Sequence, residues 1–304
     1  MSQTQTTADV DSTVLGPRTC SAISALDEPL PGTAAQVAAW LCLEHTGVWG
    51  RDVFAGDAFG PELSARLQAH VDAAGVRLLL IRRAGRVTPA PTRTVLFARS
   101  APDGTWCERF EVTDPQELLA LDLTAAATAP GIGRPVTDPV VLVCAHGKRD
   151  RCCAVLGRPV AAELTARFGD AVWECSHTGG HRFAPSMILL PTGYTYGRLG
   201  AAESVRAVEA AARGEVYRTG LRGRSCWTPA GQVAEIAVRD GVPAGPADLT
   251  VTGPDDCPVV RHRDGRSWSV PVGGIDLPPR PASCGADAKP ARALVAGAVS
   301  PLGG

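Results

Sequence analysis

The chain has 304 residues, of which 45% are hydrophobic and 20% are charged. This composition allows a packed core and excludes wholesale disorder, and the length suggests two domains or one large domain. The formal net charge is −1. Because there is no basic excess, neither nucleic acid nor an anionic membrane is expected as a partner.

Targeting signals and membrane spans are not apparent. The longest apolar runs fall well short of the roughly 20 residues that cross a bilayer. The N-terminus lacks the charged-then-apolar pattern of a signal peptide. We therefore expect a cytoplasmic protein. In such a reducing compartment, the ten cysteines favour metal or redox chemistry over a disulfide framework.

The first half of the chain reads as a polar tail and one α/β block. Residues 1–19 are rich in Ser, Thr and Gln and are expected to be disordered. Residues 20–124 are predicted to form an N-terminal α/β domain. Its predicted elements, in chain order, are a strand at 40–44, a helix at 61–74, strands at 76–82, 93–98 and 105–112, and a helix that starts at Asp114.

The second half begins after a linker rich in Gly, Pro, Ala and Thr, residues 125–138, where we place a domain boundary. The domain 139–214 is predicted to contain strands at 139–144 and 171–175, a helix at 159–168, a hairpin of strands 186–190 and 194–199, and a helix at 201–213. Residues 215–304 are expected to form a small irregular α+β extension packed on that domain. They include a helix at 229–239 and a hairpin around Asp264 and Gly265.

The two blocks share one order of predicted elements. Each has a strand, a helix and a strand, followed by a hairpin and a final helix. This order is the thioredoxin-like topology. Although the two blocks have negligible sequence similarity, the shared order suggests a structural duplication, so the N-terminal block is interpreted as a related thioredoxin-like α/β domain.

The residues that carry chemistry lie in two loops of the second block. Cys144 and Cys153 are separated by eight residues, and His177 and His181 by three. Each pair follows a predicted buried strand, and neighbouring parallel strands bring such loops together at the carboxyl edge of a sheet, where ligands bind. Gly179 and Gly180 allow the second loop to bend closely around a bulky group.

Two thiolates and two imidazoles suit either tetrahedral Zn²⁺ or a [2Fe–2S] cluster with mixed ligation. The long spacing between the two cysteines argues mildly against a zinc knuckle. Cys152 is an alternative to Cys153, and Cys284 either covers the site or is a turn residue. Cys175 is interpreted as a buried strand residue, and His146 as either a support for the site or a loop residue. The remaining cysteines are interpreted as structural or incidental: Cys20, Cys42, Cys107, Cys226 and Cys257.

These motifs resemble the sucrase/ferredoxin-like family. The resemblance rests on Cys144 and Cys153, on the run from Cys175 to Phe183 with its two histidines, and on residues 193–198. It implies a thioredoxin-like [2Fe–2S] ferredoxin domain over 139–214 and an N-terminal domain without a cluster. It also implies that the cluster ligands are Cys144, Cys153, His177 and His181.

The resemblance implies an electron carrier rather than a catalyst with its own substrate. Replacing two thiolates with neutral imidazoles makes a cluster easier to reduce, so its potential should lie above the roughly −400 mV of plant-type ferredoxins. Because ligating histidines can exchange a proton, that potential should depend on pH. Lys148, Arg149 and Arg151 would dock an acidic redox partner.

Two other functions remain open. The same four residues could form a structural zinc site in an interaction protein. Alternatively, Cys152, Cys153 or Cys175 could serve a thiol oxidoreductase. The sequence contains no Cys-x-x-Cys motif, which counts against ordinary thioredoxin chemistry.

Overall fold

The structure is a computed structural model that describes residues 19–85 and 90–303. The expected disordered tail therefore lies outside the described residues, apart from Thr19, whose side chain caps the first helix by accepting a hydrogen bond from the Ala22 amide. No helix in the described part of the chain is both long and apolar enough to cross a lipid bilayer.

The described residues form a mixed α/β structure. The α-helices are α1 (Cys20–Asp27), α2 (Pro61–Ala73), α3 (Arg151–Phe168), α4 (Ala201–Ala212) and α5 (Pro229–Gly241), and short 3-10 helices cover Pro115–Ala120, Gly169–Ala171 and His181–Phe183. The strands are β1 (Ala39–Glu44), β2 (Val76–Arg82), β3 (Arg93–Ala101), β4 (Gly104–Val112), β5 (Arg134–Pro135), β6 (Val140–Cys144), β7 (Val172–Cys175), β8 (Ser186–Leu190), β9 (Tyr194–Gly197), β10 (Leu221–Arg224), β11 (Leu249–Thr252), β12 (Val259–His262), β13 (Ser267–Ser269), β14 (Val272–Pro281), β15 (Ala288–Ala296) and β16 (Ser300–Leu302).

A ten-stranded sheet runs through both predicted blocks, in the order β10-β9-β8-β6-β7-β2-β1-β3-β4-β5. Its parallel pairs are β1–β2 and β6–β7, and its other pairs are antiparallel. The blocks meet where β2 pairs with β7 through Ile81 and Arg82. The Arg82 guanidinium forms a 2.9 Å ion pair with Glu174 at this junction. The domain boundary at 125–138 stays a prediction, and one sheet spans both sides of it.

The two blocks have the same strand topology. In the first, the order is β2-β1-β3-β4, with β1 and β2 parallel and the next pairs antiparallel. In the second, the order is β7-β6-β8-β9, with the same orientations. The sheet is therefore built from two copies of one arrangement that join edge to edge.

Continuous apolar strands place the core on both faces of this sheet. All five residues of β6 are buried, as expected for a central strand covered on both faces. One face packs Trp40, Leu142 and Trp173 into a single cluster that also includes Cys144 and Cys153. The cysteines of the candidate site thus belong to the densely packed interior.

Helix α3 begins eight residues before the predicted start at residue 159. Pro159 lies inside the helix, although proline normally marks a helix start or a break because it lacks an amide hydrogen and clashes with the preceding turn. The Asp150 side chain instead caps the helix by accepting the Cys152 amide at 2.9 Å. The first turn of α3 therefore carries Cys152 and Cys153, which the sequence had suggested to be loop residues.

The C-terminal extension contains α5, a four-stranded sheet (β11-β12-β13-β16) and the β14–β15 hairpin. The predicted hairpin around residues 264–265 is confirmed by the pairing of β12 with β13. Helix α5 packs against β10. A buried network links it to the large sheet: the Tyr194 hydroxyl donates to Glu235 at 2.6 Å, and Arg239 forms an ion pair with the same carboxylate at 2.8 Å.

Candidate metal centre

The parallel pair β6 and β7 positions the site. Their last residues, Cys144 and Cys175, are register partners, so the loops that follow them start side by side. The first loop leads into α3 and the second leads to the 3-10 helix that begins at His181. Chain segments that leave adjacent parallel strands at the carboxyl edge form the usual ligand site of such sheets.

Three of the four sequence-predicted ligands form one compact group. The ligating atoms of Cys144, Cys153 and His177 lie within 4.8 Å of one another. Both cysteines are only 1% exposed. Cys144 is held by β6 and Cys153 by the first turn of α3, so the two thiols are fixed by regular secondary structure.

His181 stands beside this group but is not within 4.8 Å of all its members. Its ring centroid is 5.1 Å from that of His177, with the rings tilted by 40°. Its Nε2 lies 3.8 Å from Asp150 Oδ2. Burial lowers the pKa of His181 despite this carboxylate, so the ring is held in the neutral form that can bind a metal.

Three of the four ring nitrogens of His177 and His181 are shielded from solvent and poorly satisfied. Within the described residues, His177 Nδ1 and both nitrogens of His181 make no well-formed hydrogen bond. Buried polar atoms are normally paired, because each unpaired one costs about 1–3 kcal/mol. These nitrogens are therefore available to bind a metal or cofactor beside the two cysteines.

The two thiols shift each other's pKa in opposite directions. The hydrogen bond from the Cys153 thiol holds the pKa of Cys144 well below its usual value, burial opposes this shift, and His177 reinforces it. The same hydrogen bond raises the pKa of Cys153. Cysteine binds metals as the thiolate, so a cation bound here would displace the thiol protons.

The backbone of His177 is held from two sides. The His177 amide donates to His146 Nδ1 at 3.1 Å, while His146 Nε2 donates to the Gly50 carbonyl at 2.8 Å. Arg77 donates to the His177 carbonyl at 2.9 Å. His146 is 2% exposed. Of the two roles that the sequence left open for His146, support for the site is therefore the one that its contacts fit.

A buried arginine braces the second loop. Arg222 is fully buried and donates to the Gly179 carbonyl at 3.2 Å and to Ser186 Oγ at 2.9 Å, and it also contacts Thr33. Burial lowers its pKa to about 9. Gly180 has a φ of +69°, and a Cβ there would overlap the Arg222 guanidinium. The run from Arg222 to Ser225 also resembles the family, but the sequence assigned Arg222 no role because nothing in its local pattern marks a buried charge.

Cys152 points away from the compact group, although it is adjacent to Cys153 in sequence. Its Sγ lies 3.6 Å from Cys20 Sγ and 3.0 Å from Cys284 Sγ. The hydrogen bond from Cys20 lowers the pKa of Cys152 to about 6. Cys20, which the sequence suggested to be structural or incidental, therefore belongs to a second group of thiols.

The basic loop residues have different environments. Lys148 and Arg151 are exposed, whereas Arg149 is half-buried. Arg149 lines a surface cavity of about 690 Å³ together with Arg51, Arg77 and His177. This cavity reaches one histidine of the compact group, and the carboxylates of Asp52 and Asp72 line it beside the arginines.

The fold and site define an α/β protein with a buried Cys/His group, compatible with metal binding, at the carboxyl edge of a mixed sheet. The family model described as sucrase/ferredoxin-like matches residues 30–223, which is more than half of the chain. The chain therefore belongs to the sucrase/ferredoxin-like family. Searches among curated proteins and among solved structures found no match.

Proposed function

We propose that this chain is an electron-transfer protein that holds a [2Fe–2S] cluster through Cys144, Cys153, His177 and His181. The observation that carries the proposal is the set of shielded, unpaired imidazole nitrogens beside two buried cysteines. Two soft thiolates and two imidazoles form a donor set that such clusters accept. A bound cluster would supply reversible one-electron transfer.

The spread of the donors supports a group larger than one ion. Tetrahedral zinc with Zn–S bonds of about 2.3 Å keeps its donors about 3.8 Å apart. Here the donor atoms of Cys144, Cys153 and His177 lie within 4.8 Å of one another, but no donor atom of His181 lies within 4.8 Å of all three. A two-iron cluster accommodates such a spread because its ligands are shared between two metals.

We further propose that the second block is a thioredoxin-like ferredoxin domain and that the first is its cluster-free counterpart. The matching strand orders and orientations of the two blocks support this proposal. None of the ten cysteines, all within the described residues, forms a disulfide. This supports a reducing, cytoplasmic location.

The chain's own residues would hold the site in place and approach a partner. His146, Arg77 and Arg222 fix the backbone of the histidine loop through the hydrogen bonds described above. Lys148 and Arg151 leave positive charge on the surface beside it. An acidic redox partner is therefore the partner that this surface would favour, with a rate that falls as salt rises.

A structural zinc site is the second candidate, favoured by the compactness of Cys144, Cys153 and His177. Purification without oxygen, followed by a visible spectrum and analysis of iron, sulfide and zinc, separates the two. We expect a coloured protein with about two irons and two sulfides per chain. A colourless protein with zinc bound by two sulfurs and two imidazole nitrogens would refute the electron-transfer proposal.

Ligand replacement tests the histidines individually. His177→Cys and His181→Cys should each retain the cluster and show a lower midpoint potential that varies less with pH, because a thiolate adds negative charge and removes a titratable ring. His70→Cys is the control, since its ring bonds to the Leu121 carbonyl away from the site. An unchanged potential in both test variants would mean that neither histidine is a ligand.

A further inference from the structure

A second group of metal-binding side chains lies next to the first. It consists of Cys20, Asp150, Cys152 and Cys284, whose donor atoms all lie within 4.8 Å of one another. Cys20 Sγ is 3.6 Å from the Sγ atoms of both Cys152 and Cys284, and those two are 3.0 Å apart. The Asp150 carboxylate oxygens lie 3.8 and 3.9 Å from Cys20 Sγ.

We propose that these four residues form a separate structural site for a single zinc ion, with three thiolates and one carboxylate oxygen as its ligands. The site shares none of its ligands with the proposed cluster. It therefore does not depend on which group Cys144 and Cys153 hold.

The distances favour one ion over a cluster. In tetrahedral coordination with Zn–S bonds of about 2.3 Å, sulfur atoms lie about 3.8 Å apart. Two of the three sulfur–sulfur distances are 3.6 Å. The third, between Cys152 and Cys284, is 3.0 Å, so these two sulfurs would have to move slightly apart to bind one ion. Three thiolates also select a soft or borderline ion, and zinc accepts a carboxylate as a further ligand.

The surrounding hydrogen bonds orient the donors. The amides of Cys152 and Cys284 donate to the two oxygens of Asp150, at 2.9 and 2.8 Å. Each carboxylate oxygen has a further lone pair with which to bind a cation. Ser21 donates its hydroxyl to Cys152 Sγ at 3.1 Å. Such outer contacts fix the orientation of metal ligands and are typical of built metal sites.

The environment is closed on one side and accessible on the other. Cys20 and Cys152 are at most 1% exposed and pack with Ala184 and Leu156, whereas Cys284 is half-buried. Without a cation, the three thiols contact one another through weak S–H hydrogen bonds, and among the described residues only Cys152 also accepts a side-chain hydroxyl, that of Ser21. A bound cation would instead give each sulfur a strong partner and would have a path for entry past Cys284.

The ligands connect distant parts of the chain. Cys20 begins α1, Asp150 and Cys152 lie at the start of α3, and Cys284 lies between β14 and β15. Cys20 and Cys284 are 264 residues apart, and both lie outside the residues 30–223 that match the family. One ion would therefore fasten the flanking segments of this chain onto the helix that carries Cys153.

The experiment uses the full chain, purified without oxygen from cells supplied with iron and zinc. X-ray absorption at the zinc edge should show three sulfur ligands at about 2.3 Å and one oxygen at about 2.0–2.2 Å. Cys20→Ser and Cys284→Ser should lose the zinc but keep the iron and the visible spectrum. Cys257→Ser is the matched control, because Cys257 is outside both groups, and it should keep both metals.

Four results would overturn the inference. The first is full-length protein without zinc, and the second is zinc that stays bound in both serine variants. The third is zinc whose ligands are two sulfurs and two imidazole nitrogens. The fourth is a Cys152–Cys284 disulfide in place of the zinc. If the variants do not fold, X-ray absorption of the unaltered protein still tests the inference, because it counts the sulfur and oxygen ligands of the zinc. Iron and sulfide content is measured separately, so failure of the [2Fe–2S] proposal can be distinguished from failure of the zinc site.

Discussion

At the scale of single residues, the histidine loop depends on a glycine that faces a buried arginine. Gly180 adopts a left-handed conformation with a φ of +69°. A Cβ at that position would overlap the Arg222 guanidinium and would lie 2.8 Å from Phe183 Cδ2. Arg222 in turn holds the Gly179 carbonyl and Ser186. The position of His181 is therefore set by a close approach that only glycine allows.

We expect Gly180→Ala to lower the free energy of unfolding by about 2–4 kcal/mol, because the left-handed conformation and the steric overlap both cost energy. It should also reduce metal retention, since the loop would have to move. Gly75→Ala is the control: its φ is +63°, but nothing lies within 4 Å of the added Cβ. Urea denaturation and metal analysis measure both effects. Equal losses in the two variants would contradict the role given to the contact with Arg222.

At the scale of elements, α3 lies unusually close to β6. A Cβ at Gly157 would overlap the Cys144 carbonyl oxygen. This close packing brings the first turn of α3, with Cys153, next to the end of β6, with Cys144. The separation between the two thiols thus depends on how near the helix can approach the strand.

Gly157→Ala should therefore destabilise the protein by about 2–3 kcal/mol or more, although the same change usually stabilises a helix by up to about 1 kcal/mol. Gly241→Ala provides the comparison, because Gly241 ends α5 with no atom within 4 Å of the added Cβ. It should leave stability unchanged or slightly raised. The two values come from chemical denaturation, and a stabilising effect of Gly157→Ala would show that α3 can move away from β6 without cost.

At the scale of the whole molecule, the two topologically matching blocks are joined by β2 and β7. The pairing covers two residues of each strand and includes the ion pair of Arg82 with Glu174, whose side chains are 24% and 7% exposed. Arg82 also lies over the Trp49 ring, 4.3 Å from its centroid. The junction is short, but its charged pair is largely shielded from water.

We expect thermal unfolding to be one cooperative transition, with coincident curves from tryptophan fluorescence and far-UV circular dichroism, because the blocks share one sheet. Arg82→Met should lower the midpoint of both curves together, since it leaves Glu174 buried without its partner. Arg206→Met, which removes an exposed ion pair with Glu203, should change little. Two separated transitions would show instead that the blocks unfold independently.

Much of the element order followed from local pattern. The continuous apolar runs of β6 and β2 and the helix start at Asp114 follow from short-range signals, and the structure has two strands and a short 3-10 helix at these places. The predicted start of α3, at residue 159, was eight residues too late. A proline-based prediction could not detect that the Asp150 cap and packing against β6 outweigh the local cost of Pro159.

The sequence by itself determined the mixed α/β class and the repeated order of strands, and it predicted the cysteine pair and the histidine pair of the candidate centre. These features depend on hydrophobic periodicity and on spacing within a loop, which are properties of neighbouring residues. Only the tertiary structure decided that both blocks share one sheet and that Arg222 supports the histidine loop. The tertiary structure also brought Cys20 and Cys284 to Cys152. The sequence could not predict this cluster, because its members are separated by 132 or 264 residues and contacts at such separations leave no local pattern.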